Sequence, residues 1–190
     1  MPIEITCFKA YDVRGQIPTE LNPDVAYRIG NATAAFLGAK KVVLGRDMRL
    51  SSAELAGAVA QGLIDAGVEV LDIGLCGTEM VYFATGHLEA DGGIMVTASH
   101  NPADYNGLKI VREEARPISG DTGLQDIRGL AESDERSKTE EAGRRREIQI
   151  FDDYVAHLLT YVDTKSLKPL KLVVNPGNGC AGIAVAGLDP

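Results

Sequence analysis

Gly93-Ile94-Met95-Val96-Thr97-Ala98-Ser99-His100-Asn101-Pro102-Ala103-Asp104-Tyr105-Asn106-Gly107-Leu108-Lys109-Ile110 runs from an apolar strand through a polar turn into a second strand. Gly93 to Val96 is short and apolar, as befits a strand buried on both faces. Asn101-Pro102 and Asn106-Gly107 are turn signals, because proline fixes φ and Asn-Gly tolerates positive φ. Leu108 to Val111 returns as a strand, and only a turn separates it from the first, so the pair is expected to be hairpin-like. Ser99 therefore sits at the mouth of a buried strand, with His100 and Lys109 close to it.

Upstream, strand and helix signals alternate. Pro23 to Leu37 is expected to be a helix capped by Asn22, with Ala26, Ile29, Thr33 and Phe36-Leu37 on one face. Lys41 to Leu44 is a short apolar strand. Ser51 or Ser52 is positioned to cap a helix in which Leu55, Val59 and Leu63 recur and which Gly67 stops. Val68 to Ile73 is a further strand and Thr78 to His87 a further helix. This alternation predicts an α/β fold, a layered α/β/α domain with helices on both faces of a mixed sheet. In such sheets ligands bind beyond the carboxyl ends of the strands, which is where Ser99 falls.

Glu132 to Glu147 is polar and carries both signs of charge, and is expected to be a solvated excursion or loop. Phe151 to Tyr161 has the pattern of an amphipathic helix that closes the domain. Lys171 to Asn175 is expected to open a fresh strand, with Pro176-Gly177-Asn178-Gly179 turning after it. The chain divides accordingly into a first domain (1–150), a connecting helix and linker (151–168) and the start of a second, similar domain (169–190).

The bulk numbers narrow the function. The 190 residues are 45% hydrophobic and 24% charged, ordinary globular material. A net charge of -8 argues against a nucleic-acid surface, which needs clustered Lys and Arg, yet leaves room for a few basic residues around a phosphate. No apolar run approaches the ~20 residues of a membrane span, and no basic stretch followed by an apolar one opens the chain. Cys7, Cys76 and Cys180 are widely spaced and form no CxxC pair, the usage expected of reduced thiols in a cytoplasmic protein.

The turn around Ser99 suits a hydroxyl that carries a phosphoryl group in the open, since a strand end offers exposure and backbone N–H donors for the added charge. Taken alone it equally suits a turn serine bonded to its own backbone. Two further stretches tip the balance, Phe8-Lys9-Ala10-Tyr11-Asp12-Val13-Arg14-Gly15 and Val173-Val174-Asn175-Pro176-Gly177-Asn178-Gly179. With Thr97 to Ile110 they resemble the α-D-phosphohexomutases, with Val13 where isoleucine is commoner. The resemblance covers nearly all of the chain but only the front portion of a family member.

That resemblance implies a reaction in which Ser99 is phosphorylated and passes its phosphoryl group to a hexose monophosphate. The resulting 1,6-bisphosphate turns over and returns its other phosphate. Overall likeness points to mannose phosphates, with glucose and glucosamine phosphates as rivals. It implies Ser99, His100 and Lys109 as catalytic residues, and Tyr11, Arg14 and Asn101 as substrate-binding ones. It also implies Mg²⁺ bound through the Ser99 phosphate, with hexose 1,6-bisphosphate as activator. The family's Asp-Gly-Asp-x-Asp-Arg metal loop does not occur in these residues, so the remaining domains of a full-length chain are expected as partners alongside the phosphosugar. Gly45-Arg46-Asp47-Met48-Arg49-Leu50-Ser51-Ser52 resembles another family segment, for which structural support is the expected role.

Two other functions compete. A serine hydrolase would use Ser99 as nucleophile, but adjacent side chains of extended backbone point apart, which places His100 poorly, and no G-x-S-x-G occurs. A non-catalytic phosphosugar-binding fragment is the second. Arg14 also has a purely local alternative, a surface pair with Asp12 worth ~0–1 kcal/mol.

Overall fold

In the computed structural model, which describes residues 3–133, 135–177 and 179–188, strands and helices alternate as the sequence pattern requires. The strands are β1 (Val13–Gln16), β2 (Lys41–Arg46), β3 (Glu69–Leu75), β4 (Gly92–Val96), β5 (Tyr105–Arg112) and β6 (Arg145–Glu147). The helices are α1 (Pro23–Leu37), α2 (Ser52–Asp65), α3 (Thr78–His87), α4 (Gln125–Glu132), α5 (Phe151–Leu159) and α6 (Ala181–Leu188).

The six strands form one mixed sheet in the order β1-β5-β4-β2-β3-β6. β2 lies parallel to both β3 and β4, β3 parallel to β6, and β5 antiparallel to β4 and β1. Successive side chains of a strand face opposite sides of a sheet, and here each side meets a helical layer. Val42, Leu44, Ile94 and Val96 join Ile29 of α1 and Val59 and Leu63 of α2 in one core. Val43, Leu71 and Met95 join Met80, Val81 and Ala84 of α3 and Tyr154 of α5 in the other. The central strands are thus buried on both faces, each Val or Leu contributing ~1.5–3 kcal/mol of burial.

Local chemistry sets the helix ends. Asn22 caps α1, its Oδ1 accepting from the Val25 N–H at 3.1 Å, and Pro23 occupies the first turn. Gly38 closes α1 in the left-handed conformation, φ 58°. α1 and α2 pack backbone to backbone at Gly62, where a Cβ would stand 2.1 Å from the Tyr27 carbonyl oxygen.

Four expectations need correction. Neither serine caps α2 with its side chain. Both hydroxyls instead accept from the buried Asn106 Nδ2, Ser51 at 2.8 Å and Ser52 at 2.9 Å, which ties the start of α2 to β5. The polar stretch 132–147 is held at several points rather than simply solvated. Buried Asn31 of α1 bonds both backbone groups of Ser137, at 2.8 and 2.9 Å, and 145–147 adds an edge strand, with Arg145 paired to Asp72. α5 stops at Leu159 rather than Tyr161. Residues 171–175 form no strand, because nothing among the described residues lies beside them to complete a ladder.

β1 and α4 lay outside the sequence expectation. Four residues are too few to display a period, so β1 had no signal. In α4, buried Leu124, Ile127 and Ala131 recur at helical spacing, a pattern the sequence does contain.

Candidate active site

The parallel strands deliver three turns to one edge of the sheet. β4 ends in Thr97-Ala98-Ser99, β2 in Asp47-Met48-Arg49, and β3 in Cys76-Gly77 at the start of α3. β5 returns beside β4, Leu108 pairing with Val96, and β1 begins beside it, Val13 pairing with Leu108. That register places Tyr11, Asp12 and Arg14 next to the serine turn. Gly107 permits the close approach, since a Cβ there would sit 2.1 Å from the Val13 carbonyl oxygen.

Ser99 is exposed and adopts φ 54°, a left-handed backbone uncommon for a residue with a side chain. Its N–H donates to Thr97 Oγ1 at 2.9 Å, and Thr97 Oγ1 donates to Asp47 Oδ2 at 2.7 Å. The left-handed turn also overrides the extended-chain argument against His100, whose Nδ1 stands 3.4 Å from Ser99 Oγ. Adjacent side chains that would diverge on a strand converge here.

Arg14 does more than make the local pair. Its guanidinium donates to the Ala98 carbonyl at 2.7 Å, to Asn101 Oδ1 at 2.6 Å and to Asp12 Oδ2 at 2.6 Å. With the side chain only 14% exposed and its fork turned into the loop, Arg14 braces the serine turn from below. Asn101 is drawn into the same brace. Lys109 Nζ lies 3.2 Å from Asp12 Oδ2, so one carboxylate joins Arg14 and Lys109. Tyr11 is 81% exposed at the rim. The structure therefore brings Ser99, His100, Arg14, Asn101 and Lys109 into one constellation and leaves Tyr11 free at its edge.

Three members of this group have no site role in the sequence expectation, which gives the segment of Asp47 and Arg49 structural support. Asp12 enters it only as a surface partner of Arg14. Asp47 holds Thr97 through one oxygen and Ser52 Oγ, at 2.5 Å, through the other. Arg49 reaches across to the serine loop from the end of the neighbouring strand. The available signal was topological, since adjacent parallel strands place their following turns side by side.

A cleft of about 490 Å³ opens in front of Ser99, between Asp47 and Arg49 on one side and Thr78, Gly179 and Ala181 on the other. Three cations, Arg14, Arg49 and Lys109, stand against two carboxylates, Asp12 and Asp47, in the network that supports the exposed Ser99 turn. That balance suits a dianion even on a chain of net charge -8. Cys76 lines the cleft floor, and burial pushes its thiol up to about 12, so it is not a ready nucleophile.

A metal fits these residues poorly. Among the described residues no three His, Cys, Asp or Glu side chains cluster to hold an ion. The carboxylates nearest Ser99 already serve Thr97, Ser52, Arg14 and Lys109.

A layered α/β/α domain with an exposed serine on an arginine-braced turn at the carboxyl edge of its sheet defines the class. Residues 6–138 match the family model for phosphoglucomutase/phosphomannomutase, alpha/beta/alpha domain I, and the chain belongs to that family. It is 57% identical over 188 residues to a phosphomannomutase of Escherichia coli K12, covering 98% of this chain and 41% of that protein. It is 56% identical over 186 residues to the phosphohexose mutases of Xanthomonas campestris, covering 98% of this chain and 42% of theirs. A crystal structure of a phosphoglucomutase/phosphomannomutase family protein from Burkholderia thailandensis superposes with a TM-score of 0.87 at 38% identity, over 98% of this chain and 42% of that one. The chain thus spans about two fifths of the length of the relatives it matches. Among the described residues no helix is long and apolar enough to cross a membrane.

Proposed function

We propose that residues 1–190 are the phosphoserine-bearing front portion of a cytoplasmic phosphomannomutase, interconverting mannose 6-phosphate and mannose 1-phosphate. The observation that carries this is the exposed Ser99 in a strained turn that Arg14 and Arg49 brace through its backbone carbonyls, with Lys109 on the same Asp12 as Arg14. Residues 1–150 form the first domain and 151–168 the connection, and 169–190 begin a second, similar unit.

In the forward step the bond between Ser99 Oγ and phosphorus breaks as the free sugar hydroxyl oxygen bonds to that phosphorus. The hydroxyl proton leaves to a base, and the serine oxygen regains a proton. His100, 3.4 Å from Ser99 Oγ, is the proton carrier on this side. Lys109 faces the charge that spreads over the phosphoryl oxygens, which is where a loose transition state needs it. Arg14 and Asn101 act by holding the turn, and Tyr11 meets the sugar at the rim. The bisphosphate then reorients and returns its other phosphoryl group to Ser99, so free hexose 1,6-bisphosphate activates by charging the serine. Mg²⁺ at the Ser99 phosphate would need oxygens from outside these residues.

The test is labelling of the full-length protein with radiolabelled hexose 1,6-bisphosphate and peptide mapping. Label on Ser99, lost in Ser99→Ala together with turnover, is expected. Label elsewhere, or a Ser99→Ala protein that still turns over, overturns the mechanism. Residues 1–190 alone are expected to give no mutase turnover above their own Ser99→Ala control. Comparing mannose, glucose and glucosamine phosphates in the full-length protein decides the sugar.

A further inference from the structure

The guanidinium of Arg49 has five N–H protons in a fixed fork, and the four on its terminal nitrogens all have acceptors. One terminal nitrogen donates to the carbonyls of Pro102 at 2.7 Å and Tyr105 at 3.0 Å. The other donates to the carbonyls of Ser99 at 3.0 Å and Asn101 at 2.6 Å. Nε faces Asp47 Oδ2 at 3.4 Å. Four carbonyls from the seven-residue stretch 99–105 therefore converge on one side chain that is 14% exposed. None of these bonds reaches a side chain of the loop, so Arg49 reads its backbone path rather than its sequence.

Asp47 closes the arrangement. The oxygen that faces Arg49 Nε also accepts from Thr97 Oγ1, which in turn accepts from the Ser99 N–H. The entry and the exit of the turn are thus fixed to the same carboxylate–guanidinium pair. A trans peptide points its C=O and N–H in opposite directions. With the Ser99 carbonyl drawn in to Arg49, the His100 N–H points away from it. The same holds for Pro102 and the Ala103 N–H.

We propose that Arg49, oriented by Asp47, is the positioning residue of the phosphoryl-carrying loop. It holds Ser99 in its left-handed conformation and turns the donor side of the loop backbone away from itself, without touching the transferred group. The inference rests on the reading of Ser99 as the phosphoryl carrier. Lysine cannot substitute, because a single ammonium with three protons cannot serve four carbonyls spread over seven residues.

The experiment uses the full-length protein with Arg49→Lys, and Arg49→Ala with and without added guanidinium ion. Amide exchange is followed at Asn101 and Tyr105, whose N–H groups bond across the loop to Ala98 and Pro102, and at Val43 and Ile94 in the core. In Arg49→Lys the loop amides are expected to exchange at least ~10-fold faster while the core amides are unchanged. Steady-state kinetics are expected to lose ~100-fold in kcat, the scale of an ångström-sized misplacement, with KM for the sugar phosphate within ~3-fold. Guanidinium ion should restore part of kcat to Arg49→Ala and none to Arg49→Lys, whose side chain still fills the space. Loop exchange unchanged in Arg49→Lys, or kcat within ~2-fold of the parent, overturns the proposal. If the parent shows no mutase turnover, the mutase reading falls and the exchange comparison alone decides the role of Arg49.

Discussion

Lys41-Val42-Val43-Leu44 and Lys171-Leu172-Val173-Val174 are nearly the same peptide with opposite fates. The first is the middle of the sheet, with Val42, Val43 and Leu44 wholly buried. The second pairs with nothing among the described residues, and its Val173 is 97% exposed. Propensity is equal in the two, so it cannot be what makes β2 a strand. β2 has β3 on one side and β4 on the other, and a helical layer on each face. A strand is a property of its neighbours.

The sharpest test is amide exchange along the two peptides. The β2 amides open only with the domain, and an opening cost of ~5 kcal/mol or more slows exchange by at least ~10³-fold. Residues 171–174 are expected to exchange near the rate of free peptide when residues 1–190 are studied alone. Comparable protection in both would mean that the second peptide has found a strand to pair with, and the contrast would collapse.

The cysteines report the same contrast chemically. Burial pushes the thiols of Cys7 and Cys76 up to about 12, so next to no thiolate is present at neutral pH. Cys180, just before α6, is half-buried. A disulfide-exchange reagent is expected to titrate one thiol quickly and two only when the fold opens. Mass mapping that finds Cys76 modified first would break the distinction between core and tail.

What could be read in the sequence follows from how local each feature is. α1 was legible to the residue, because its Asn22 cap, its first-turn proline and its apolar stripe are all local to the helix, and the bounds of α3 also match the expectation, although no side chain caps it. The β4–β5 hairpin was legible from Asn101-Pro102 between its strands, but Asn106-Gly107, expected in the turn, lies inside β5 and pairs with β1. β6 was not, since Arg145-Arg146-Glu147 becomes a strand only by lying beside β3. The site divides the same way. Ser99, His100 and Lys109 come from one stretch and were found together. Arg49 and Asp47 enter from a turn fifty residues earlier, and only the parallel pairing of β2 with β4 brings them to the serine. The extended-chain argument that places His100 poorly as a base for Ser99 does not hold, because a single positive φ undoes the alternation it assumes.

Side-chain truncation measures the contrast as stability. Val43→Ala removes two methyl groups from a core with no exposed edge. Lost transfer energy and the cavity left behind are together expected to cost ~2–3 kcal/mol in denaturant titrations. A cost near zero would mean that α3 and α5 are not packed on that face.

Val173→Ala is the smallest effect and the most discriminating. In residues 1–190 an exposed valine has no packing to lose, so the change should stay within ~0.5 kcal/mol. The proposal that 169–190 opens a second domain makes a different demand of the full-length protein. There Val173 should lie in a strand with neighbours, and the same substitution should approach the cost of Val43→Ala. A small effect in both contexts would remove the second-domain strand. A large effect in both would mean that the first domain already shelters this peptide. Only the split result, small in 1–190 and large in the full-length protein, fits a peptide whose partners lie beyond these residues.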